Sequence, residues 1–383
     1  MEIKEQAGPG VRISGTGAFL PGDPIPFDEV DQVLGEFKDM PADLNKWYKR
    51  TRKMMKQLLG IDHYFYAIDR KTGKTSEQPS TMAAKAAEAA IEAAGIDRQD
   101  VDLLIYCGAS QDTWGCPPTS AFVQEHLGIK RCAEYSIHSN CTSTYKGLQI
   151  AADLINYGRY ETVLLTSANM MSHLFRASSY NTKVMTRNQA MLRWFLSDGA
   201  GAAVLVKDDG RSPGLRVLDT FVESVGYDTE PHMFTRWGSA SSALEAWEQG
   251  LHHLTQDFHQ VSQRGAPIWF EGATRFCEQI GLDHDDPAVF DRIKYFLANV
   301  PADHLVDLGV DEYKNRYKFS METLRQKYYS TVANRGYTGP AAILITLNEL
   351  VREKKLEDDD LVMSFVLESS KWMDAGFAMK YRG

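Results

Sequence analysis

The feature that most constrains the fold of this 383-residue chain is an order of apolar segments that occurs twice. In the first half, helix-like and strand-like segments alternate up to a tight polar turn, which is followed by a helix and two strands. A similar order of strand, helix, turn, helix and strands returns in the second half. Alternating helices and strands predict an α/β fold, and the repeat predicts two pseudo-symmetric halves.

The bounds of the predicted segments follow the apolar runs and the Gly and Pro residues that end them. In the first half we predict helices at 81–94, 117–128 and 145–156 and strands at 101–106, 133–138, 162–167 and 200–206. In the second half we predict helices at 321–329 and 340–353 and strands at 293–297, 361–367 and 377–381. We place the halves at 1–210 and 211–383. The stretches 169–194 and 222–290 lack strand alternation, which predicts insertions that cover a pocket or form a subunit interface.

Composition narrows the class of protein. Hydrophobic residues make up 43% of the chain and charged residues 24%, which is typical of a globular protein with a large core. The sequence has neither a long apolar run nor an apolar N-terminal stretch, which predicts a cytoplasmic protein. A net charge of −9 argues against nucleic-acid binding. A candidate phosphate loop lacks its first glycine, and the Gly-rich run at 198–203 precedes a strand where a dinucleotide motif would follow one. The acidic turn at 282–287 is more typical of a helix N-cap than of a metal site, so we predict no metal and no bound cofactor.

One basic run departs from this acidic balance. Lys49, Arg50, Arg52, Lys53 and Lys56 lie within eight residues of each other in a helix-like stretch. The run is either a solvated helix face or a docking surface for the phosphates of coenzyme A or for an acidic carrier protein. Both interpretations remain open.

Cys141 differs from the other four cysteines of the chain. It lies among small polar residues between a predicted strand and a predicted helix. The N-terminus of a helix favours a thiolate, and a strand–turn–helix bend exposes the sulfur above the sheet. Cys141 is therefore either a nucleophile or an inert core cysteine. The cysteines without this setting are Cys107, Cys116, Cys132 and Cys277.

Several segments resemble the ketoacyl-ACP synthase III branch of the thiolase-like family. They are residues 108–110 with 117–121, Cys141 with its helix at 147–151, and the Gly-rich strand at 198–205. The resemblance implies a five-layered αβαβα fold, with Cys141 as the residue that accepts an acyl group. It also implies a thioester of coenzyme A or of acyl carrier protein as substrate. The chain would form a homodimer, or a heterodimer with a related ketosynthase.

The sequence departs from this family at its other catalytic positions. Asn299 occupies the position of the catalytic histidine and Tyr337 that of the asparagine. His304 is the histidine nearest to the first of these positions. Asparagine cannot act as a base and tyrosine narrows the space for a malonyl group, so decarboxylative condensation is disfavoured.

The family's glycine-rich stretch for oxyanion binding is also changed, to Glu-Ser-Ser-Lys at 368–371. The resemblance implies that the backbone N–H groups of Cys141, Ser369 and Ser370 bind the oxyanion, because a donor needs geometry and not glycine as such. The base that deprotonates the acceptor is unassigned. Its candidates are His304, His138 and the substrate itself.

Three functions remain open. We favour an acyltransferase of specialised, polyketide-like or fatty-acid-like metabolism that passes an acyl group from Cys141 to an acceptor. The second is a ketoacyl synthase that forms carbon–carbon bonds with a non-standard active site. The third is a non-catalytic partner subunit of a ketosynthase-like complex, since fold alone does not fix function.

Overall fold

The computed structural model describes residue 3 and residues 8–283, 292–303, 305–306, 326–353 and 355–383. Within them the strands are β1 (Val11–Phe19), β2 (Ile25–Pro26), β3 (His63–Tyr64), β4 (Leu103–Cys107), β5 (Ala133–Ile137), β6 (Thr162–Asn169), β7 (Gly199–Lys207), β8 (Gly214–Ser224), β9 (Met233–Phe234), β10 (Thr255–Gln256), β11 (Ile293–Ala298), β12 (Leu361–Glu368) and β13 (Met373–Arg382). The α-helices are α1 (Val30–Val33), α2 (Ala42–Leu59), α3 (Pro79–Ala94), α4 (Thr119–Leu127), α5 (Ser143–Asn156), α6 (Ser172–Phe175), α7 (Arg187–Leu192), α8 (Ala243–Gln249), α9 (Phe258–Gln279), α10 (Val332–Arg335) and α11 (Ala342–Arg352).

The long strands of the two halves repeat one order of directions. In the first half, β5, β4 and β6 run parallel, and β7 and then β1 add to them antiparallel. In the second half, β11 and β12 run parallel, and β13 and then β8 add antiparallel. A short pairing of β1 with β8 joins the two sets into the order β11-β12-β13-β8-β1-β7-β6-β4-β5. The repeat predicted from sequence is therefore a repeat of sheet topology.

Two helices lie between the sheets of the two halves. α5 packs on β4, β6 and β7 on one side and on β8 and β13 on the other, while α11 packs on β1, β7 and β11. Side chains such as Leu148, Ile343 and Phe377 form one buried core there. A Cβ atom at Gly147 would lie 2.5 Å from Cys107 Sγ, so only glycine lets α5 approach β4 this closely. This fixes the position of the helix that follows Cys141.

Outer helices complete the layers. α3 and α4 cover the outer face of the first sheet, and α9 covers β12 and β13 of the second. The alanine-rich α3 lies directly on β1, where a Cβ atom at Gly17 would fall 2.1 Å from the carbonyl oxygen of Ala86. The layers run helix, sheet, helix pair, sheet, helix. This is the αβαβα architecture that the resemblance implied, and the fold prediction is confirmed.

The structure adds elements that the sequence did not predict. β1 and β8 were not predicted, because glycines in one and polar residues in the other weaken the strand pattern. The stretch 222–290, where we predicted an insertion, contains α9, which packs on β12 and β13. The predicted helix 321–329 lies mostly outside the described residues. In the part of the chain that the structure describes, no helix is both long and apolar enough to cross a membrane.

Candidate active site

Cys141 lies in the turn between β5 and α5, as the sequence predicted. The carbonyl of Asn140 accepts the backbone N–H and the hydroxyl of Ser143, which fixes the turn at the start of the helix. Cys141 is partly buried and borders both the core around α5 and the aromatic cluster around Trp194. Its sulfur therefore lies where the two halves of the molecule meet.

Tyr337 reaches the same point from the second half. Its hydroxyl oxygen lies 3.0 Å from Cys141 Sγ. The residue before it, Gly336, has φ +67°, and a Cβ atom there would lie 2.6 Å from Ser197 Cβ. The Tyr337 carbonyl accepts the N–H of Ser197 at 2.8 Å, and the side chain is only 4% exposed. Glycine and this backbone bond hold the phenol against the thiol.

Glu368 is the acidic group of the site. This buried residue ends β12, and its carboxylate accepts the backbone N–H of Thr142 at 3.0 Å and the Thr142 hydroxyl at 2.5 Å. The hydroxyl of Ser139 donates to both carboxylate oxygens at 3.0 Å, and the Ser370 hydroxyl donates to one of them. No side chain of the helix itself caps α5, so this distant carboxylate binds the N–H at its N-terminus.

The carboxylate changes the expected charge of the nucleophile. Burial raises the pKa of Glu368, but hydrogen bonds from Ser370 and Thr142 and the positive charge of Lys146 outweigh it, so the pKa lies below its usual value. Burial, together with this negative charge, raises the pKa of Cys141 to about 12, although the Tyr337 hydroxyl opposes the shift. The helix dipole favours a thiolate, but burial and then the charge of Glu368 outweigh it and keep the thiol protonated.

Asn299 follows β11 and is 4% exposed. Within the described part of the chain, neither atom of its side-chain amide has a hydrogen-bond partner. It lies beside Tyr145 of α5, where burial raises the pKa of the tyrosine while Ser364 and Asn299 lower it. The Tyr145 hydroxyl is 2.7 Å from Ser364 Oγ, which donates to the carbonyl of Leu297. The Asn299 amide therefore faces the Tyr145 hydroxyl, too far away for a normal hydrogen bond but close enough to lower its pKa.

The other predicted site residues have different surroundings. Ser369 and Ser370 lie half-buried in the turn between β12 and β13, and the Ser370 carbonyl accepts the N–H of His232 at 3.0 Å. That their backbone N–H groups bind an oxyanion stays a prediction. His304 lies outside the described residues, and His138 is exposed.

The basic run forms part of α2, and its members divide into two groups. Arg52 pairs with Asp31 at 3.0 Å, and Lys56 pairs with Asp28. The exposed members, which have no ion pair to the described residues, are Lys49, Arg50 and Lys53, and Lys46 extends their helix face by one turn. The buried face of α2, with Tyr48 and Met55, packs in the aromatic cluster that also contains Tyr337.

Sequence reasoning missed the side chains that surround Cys141. Glu368 was noted only for its backbone, and Tyr145, Ser139 and Lys146 were not considered. One signal was available, because a glutamate that ends the apolar run Leu361–Glu368 predicts a buried carboxylate with specific partners. Among the described residues, no group of three or more His, Cys, Asp or Glu side chains is placed to hold a metal ion.

Comparisons with known proteins agree with this architecture. The profile of 3-oxoacyl-[acyl-carrier-protein (ACP)] synthase III matches residues 135–226, which include Cys141. Beta-ketoacyl-[acyl-carrier-protein] synthase III of Caldanaerobacter subterraneus subsp. tengcongensis is 24% identical over 353 residues, covering 92% of both chains.

Two solved structures share the fold. AbyA1, a tetronic acid condensing enzyme, has a TM-score of 0.77 and 21% identity over 97% of this chain and 99% of its own. 3-Oxoacyl-(acyl carrier protein) synthase III, FabH, of Pseudomonas aeruginosa PAO1 has a TM-score of 0.73 and 18% identity over 98% and 99%. The chain is a thiolase-fold protein. More narrowly, it is similar to 3-oxoacyl-[acyl-carrier-protein] synthase III.

Proposed function

We propose that the protein is an acyltransferase that takes an acyl group from a coenzyme A or acyl-carrier-protein thioester onto Cys141 and passes it to an acceptor. The observation that carries the proposal is the position of Cys141 at the start of α5, with the Tyr337 hydroxyl 3.0 Å from its sulfur. A buried thiol with a hydroxyl donor beside it at the N-terminus of a helix suits attack on a thioester carbonyl.

The first half-reaction exchanges one thioester for another. The sulfur of Cys141 attacks the carbonyl carbon, the donor's C–S bond breaks, and the Cys141 proton ends on the departing thiol. Because the pKa of Cys141 is about 12, the thiol is protonated at neutral pH, and its proton must leave as the new bond forms. Backbone N–H groups of Cys141, Ser369 and Ser370, with the Asn299 amide, are the proposed donors to the oxyanion.

Acyl transfer fits this site better than decarboxylative condensation. An ionised Glu368 beside Cys141 repels the carboxylate of a malonyl group, and the buried Tyr337 ring occupies space next to the sulfur. Asn299 cannot serve as a base. The alternative is a carbon–carbon-forming synthase, as the likeness to a condensing enzyme suggests. Labelled malonyl thioester distinguishes the two, because only condensation releases its carbon dioxide.

We further propose that the exposed cations of α2 bind the donor's carrier. Lys46, Lys49, Arg50 and Lys53 form a stripe along one helix face, and Met54 and Leu58 are exposed beside it. A helix face of this kind, with cations and apolar side chains, suits an acidic carrier protein. Arg52 and Lys56 support the helix through their pairs with Asp31 and Asp28.

The test is to incubate the protein with a panel of acyl-CoA and acyl-carrier-protein thioesters and to weigh the intact chain. We expect a mass gain equal to the acyl group, and its absence in Cys141→Ala. Cys107→Ala is the matched control, since that buried thiol packs against Gly147. If no donor acylates the folded wild-type protein, the acyltransferase proposal fails. That result would favour the role of a non-catalytic partner subunit.

A further inference from the structure

Tyr337 can act on Cys141 only while its hydroxyl is held at the sulfur. The hydroxyl oxygen lies 3.0 Å from Cys141 Sγ. Hydrogen bonds weaken steeply with distance and angle, so a shift of about 1 Å would remove this one. The residues that fix the backbone of Tyr337 therefore decide whether the thiol keeps its hydrogen-bond partner.

Ser197 is the residue that binds this backbone. It is fully buried, and its N–H donates to the Tyr337 carbonyl at 2.8 Å. Its hydroxyl accepts the N–H of Phe65 at 2.8 Å and donates to the Phe65 carbonyl at 3.0 Å. Its carbonyl accepts from the side-chain amide of Asn169 at 2.8 Å. Every hydrogen-bonding group of Ser197 thus has a partner, and the partners come from three separate segments of the chain.

Asn169 is the member of this network that bonds through its side chain alone. It is the last residue of β6 and is only 2% exposed. A carbonyl only accepts hydrogen bonds, so the amide must turn its NH2 group toward Ser197. The amide oxygen lies close to Gly339, two residues after Tyr337, where a Cβ atom would be 3.4 Å away. Asn169 therefore lies between Ser197 and the segment that carries Tyr337.

We propose that Asn169 and Ser197 are positioning residues that hold the Tyr337 hydroxyl on the sulfur of Cys141. They act through the backbone of Tyr337. Without the Asn169 amide, the buried carbonyl of Ser197 loses this donor, and Ser197 shifts toward another donor or toward water. That shift moves the Tyr337 carbonyl and carries the hydroxyl away from the sulfur. The contribution to acyl transfer rests on the function proposed above, whereas the effect on the thiol does not.

The test is a double-mutant cycle on the alkylation of Cys141 by iodoacetamide, followed by mass on the peptide that contains it. Asn169→Leu has a similar volume but no donor, and we expect it to slow alkylation about threefold at neutral pH. The pH midpoint of the reaction should move up with it, which a change in exposure alone would not cause. In Tyr337→Phe the same substitution should change the rate by less than about 1.3-fold, since the hydroxyl is already gone.

Ser197→Ala tests the same network with a smaller change. It removes both hydrogen bonds to Phe65 and should slow alkylation about twofold, again only while Tyr337 is present. This variant decides the question if Asn169→Leu does not fold. Asn348→Leu is the matched control, because that buried amide accepts the hydroxyl of Thr16 at 3.2 Å, and it should leave the alkylation rate unchanged.

Two results would overturn the positioning role. One is unchanged or faster alkylation of Cys141 in the folded variants. The other is slowing of the same size in Tyr337→Phe, because Asn169 and Ser197 would then act on the thiol by another route. Neither result needs an acyl donor. If no thioester acylates Cys141 while the cycle behaves as expected, the acyltransferase function fails and the positioning role stands.

Discussion

Two polar neighbours act on the thiol of Cys141, and their effects on its pKa are opposite. The Tyr337 hydroxyl at 3.0 Å lowers the pKa, while the carboxylate of Glu368 raises it. The hydroxyl stabilises a developing thiolate by a hydrogen bond, and the carboxylate destabilises it by charge. Each effect can be removed by a nearly isosteric substitution.

Tyr337→Phe should make the thiol less reactive. Loss of the hydroxyl raises the pKa of Cys141 further, so we expect alkylation by iodoacetamide to slow about fivefold at neutral pH. Intact-protein mass over time measures the rate. Tyr295→Phe is the control, since that hydroxyl bonds the carbonyl of Lys355 at the surface. Faster alkylation of Tyr337→Phe would show that the ring only shields the sulfur.

Glu368→Gln should have the opposite effect. Removal of the negative charge lowers the pKa of Cys141, so the pH midpoint of alkylation should move down by about one unit or more. The alkylation rate is measured across pH for this variant and the wild type. An unmoved midpoint would argue that the carboxyl is neutral in the resting protein.

At the scale of elements, the contact of α9 with β13 contains a buried acid. Asp374 of β13 is fully buried, and its carboxylate has only Arg275, at 3.6 Å, as a near ion-pair partner among the described residues. Burial raises the pKa of Asp374 to about 8; Arg275 lowers it, and Glu223 and Glu271 raise it. The folded protein therefore keeps this carboxyl protonated at neutral pH.

Asp374 should make stability depend on pH. Its ordinary pKa is 3.8, so between about pH 4 and pH 8 the folded state holds a proton that the unfolded state has released. The free energy of unfolding falls as pH rises through this range, by about 1.4 kcal/mol for each unit of pKa difference. We expect Asp374→Asn to remove this part of the slope in urea unfolding from pH 5 to pH 9. Exposed Asp23→Asn should keep it, and equal slopes in all three proteins would contradict the assignment.

The elements near Cys141 were predictable because their signals are local. The helix predicted at 145–156 is Ser143–Asn156, and the strand predicted at 361–367 is Leu361–Glu368. β1 and β8 were missed because their stability comes from pairing with β7 and β13, which no local pattern records. Glu368 was misjudged for the same reason, since its partners Ser139 and Thr142 lie more than 220 residues away in sequence.

At the scale of the molecule, charge separates one face of α2 from the rest. The chain carries a net charge of −9, but the exposed stripe Lys46, Lys49, Arg50 and Lys53 is positive. Reversing Lys49, Arg50 and Lys53 to Glu should slow acylation from a carrier protein about tenfold at low salt, with less effect from coenzyme A. The salt dependence of both rates measures this. Equal slowing with both donors would indicate that the stripe binds the pantetheine arm that the two donors share, and not the carrier protein.

The sheet also ends in an edge that needs covering. β5 is the last strand of the order, and Tyr135 on it is 41% exposed. Exposed edge strands pair readily with another chain, and a two-fold axis there would join two sheets. We therefore expect a homodimer in solution, and we expect Tyr135→Asp to weaken it. Light scattering after gel filtration gives the mass, and a monomeric wild type would refute this arrangement.

The nucleophile and its neighbours come from different halves of the chain. Cys141, Ser139 and Thr142 belong to the first sheet's side, while Tyr337, Glu368 and Asn299 belong to the second. Recombination of halves between related proteins would therefore separate the thiol from the groups that set its reactivity. In chimeras that keep the outer helices but exchange one half, the cysteine should have neighbours from the other parent protein. In such chimeras, the position in the sequence at which the two parents are joined, and not the cysteine itself, would determine which reaction the protein catalyses.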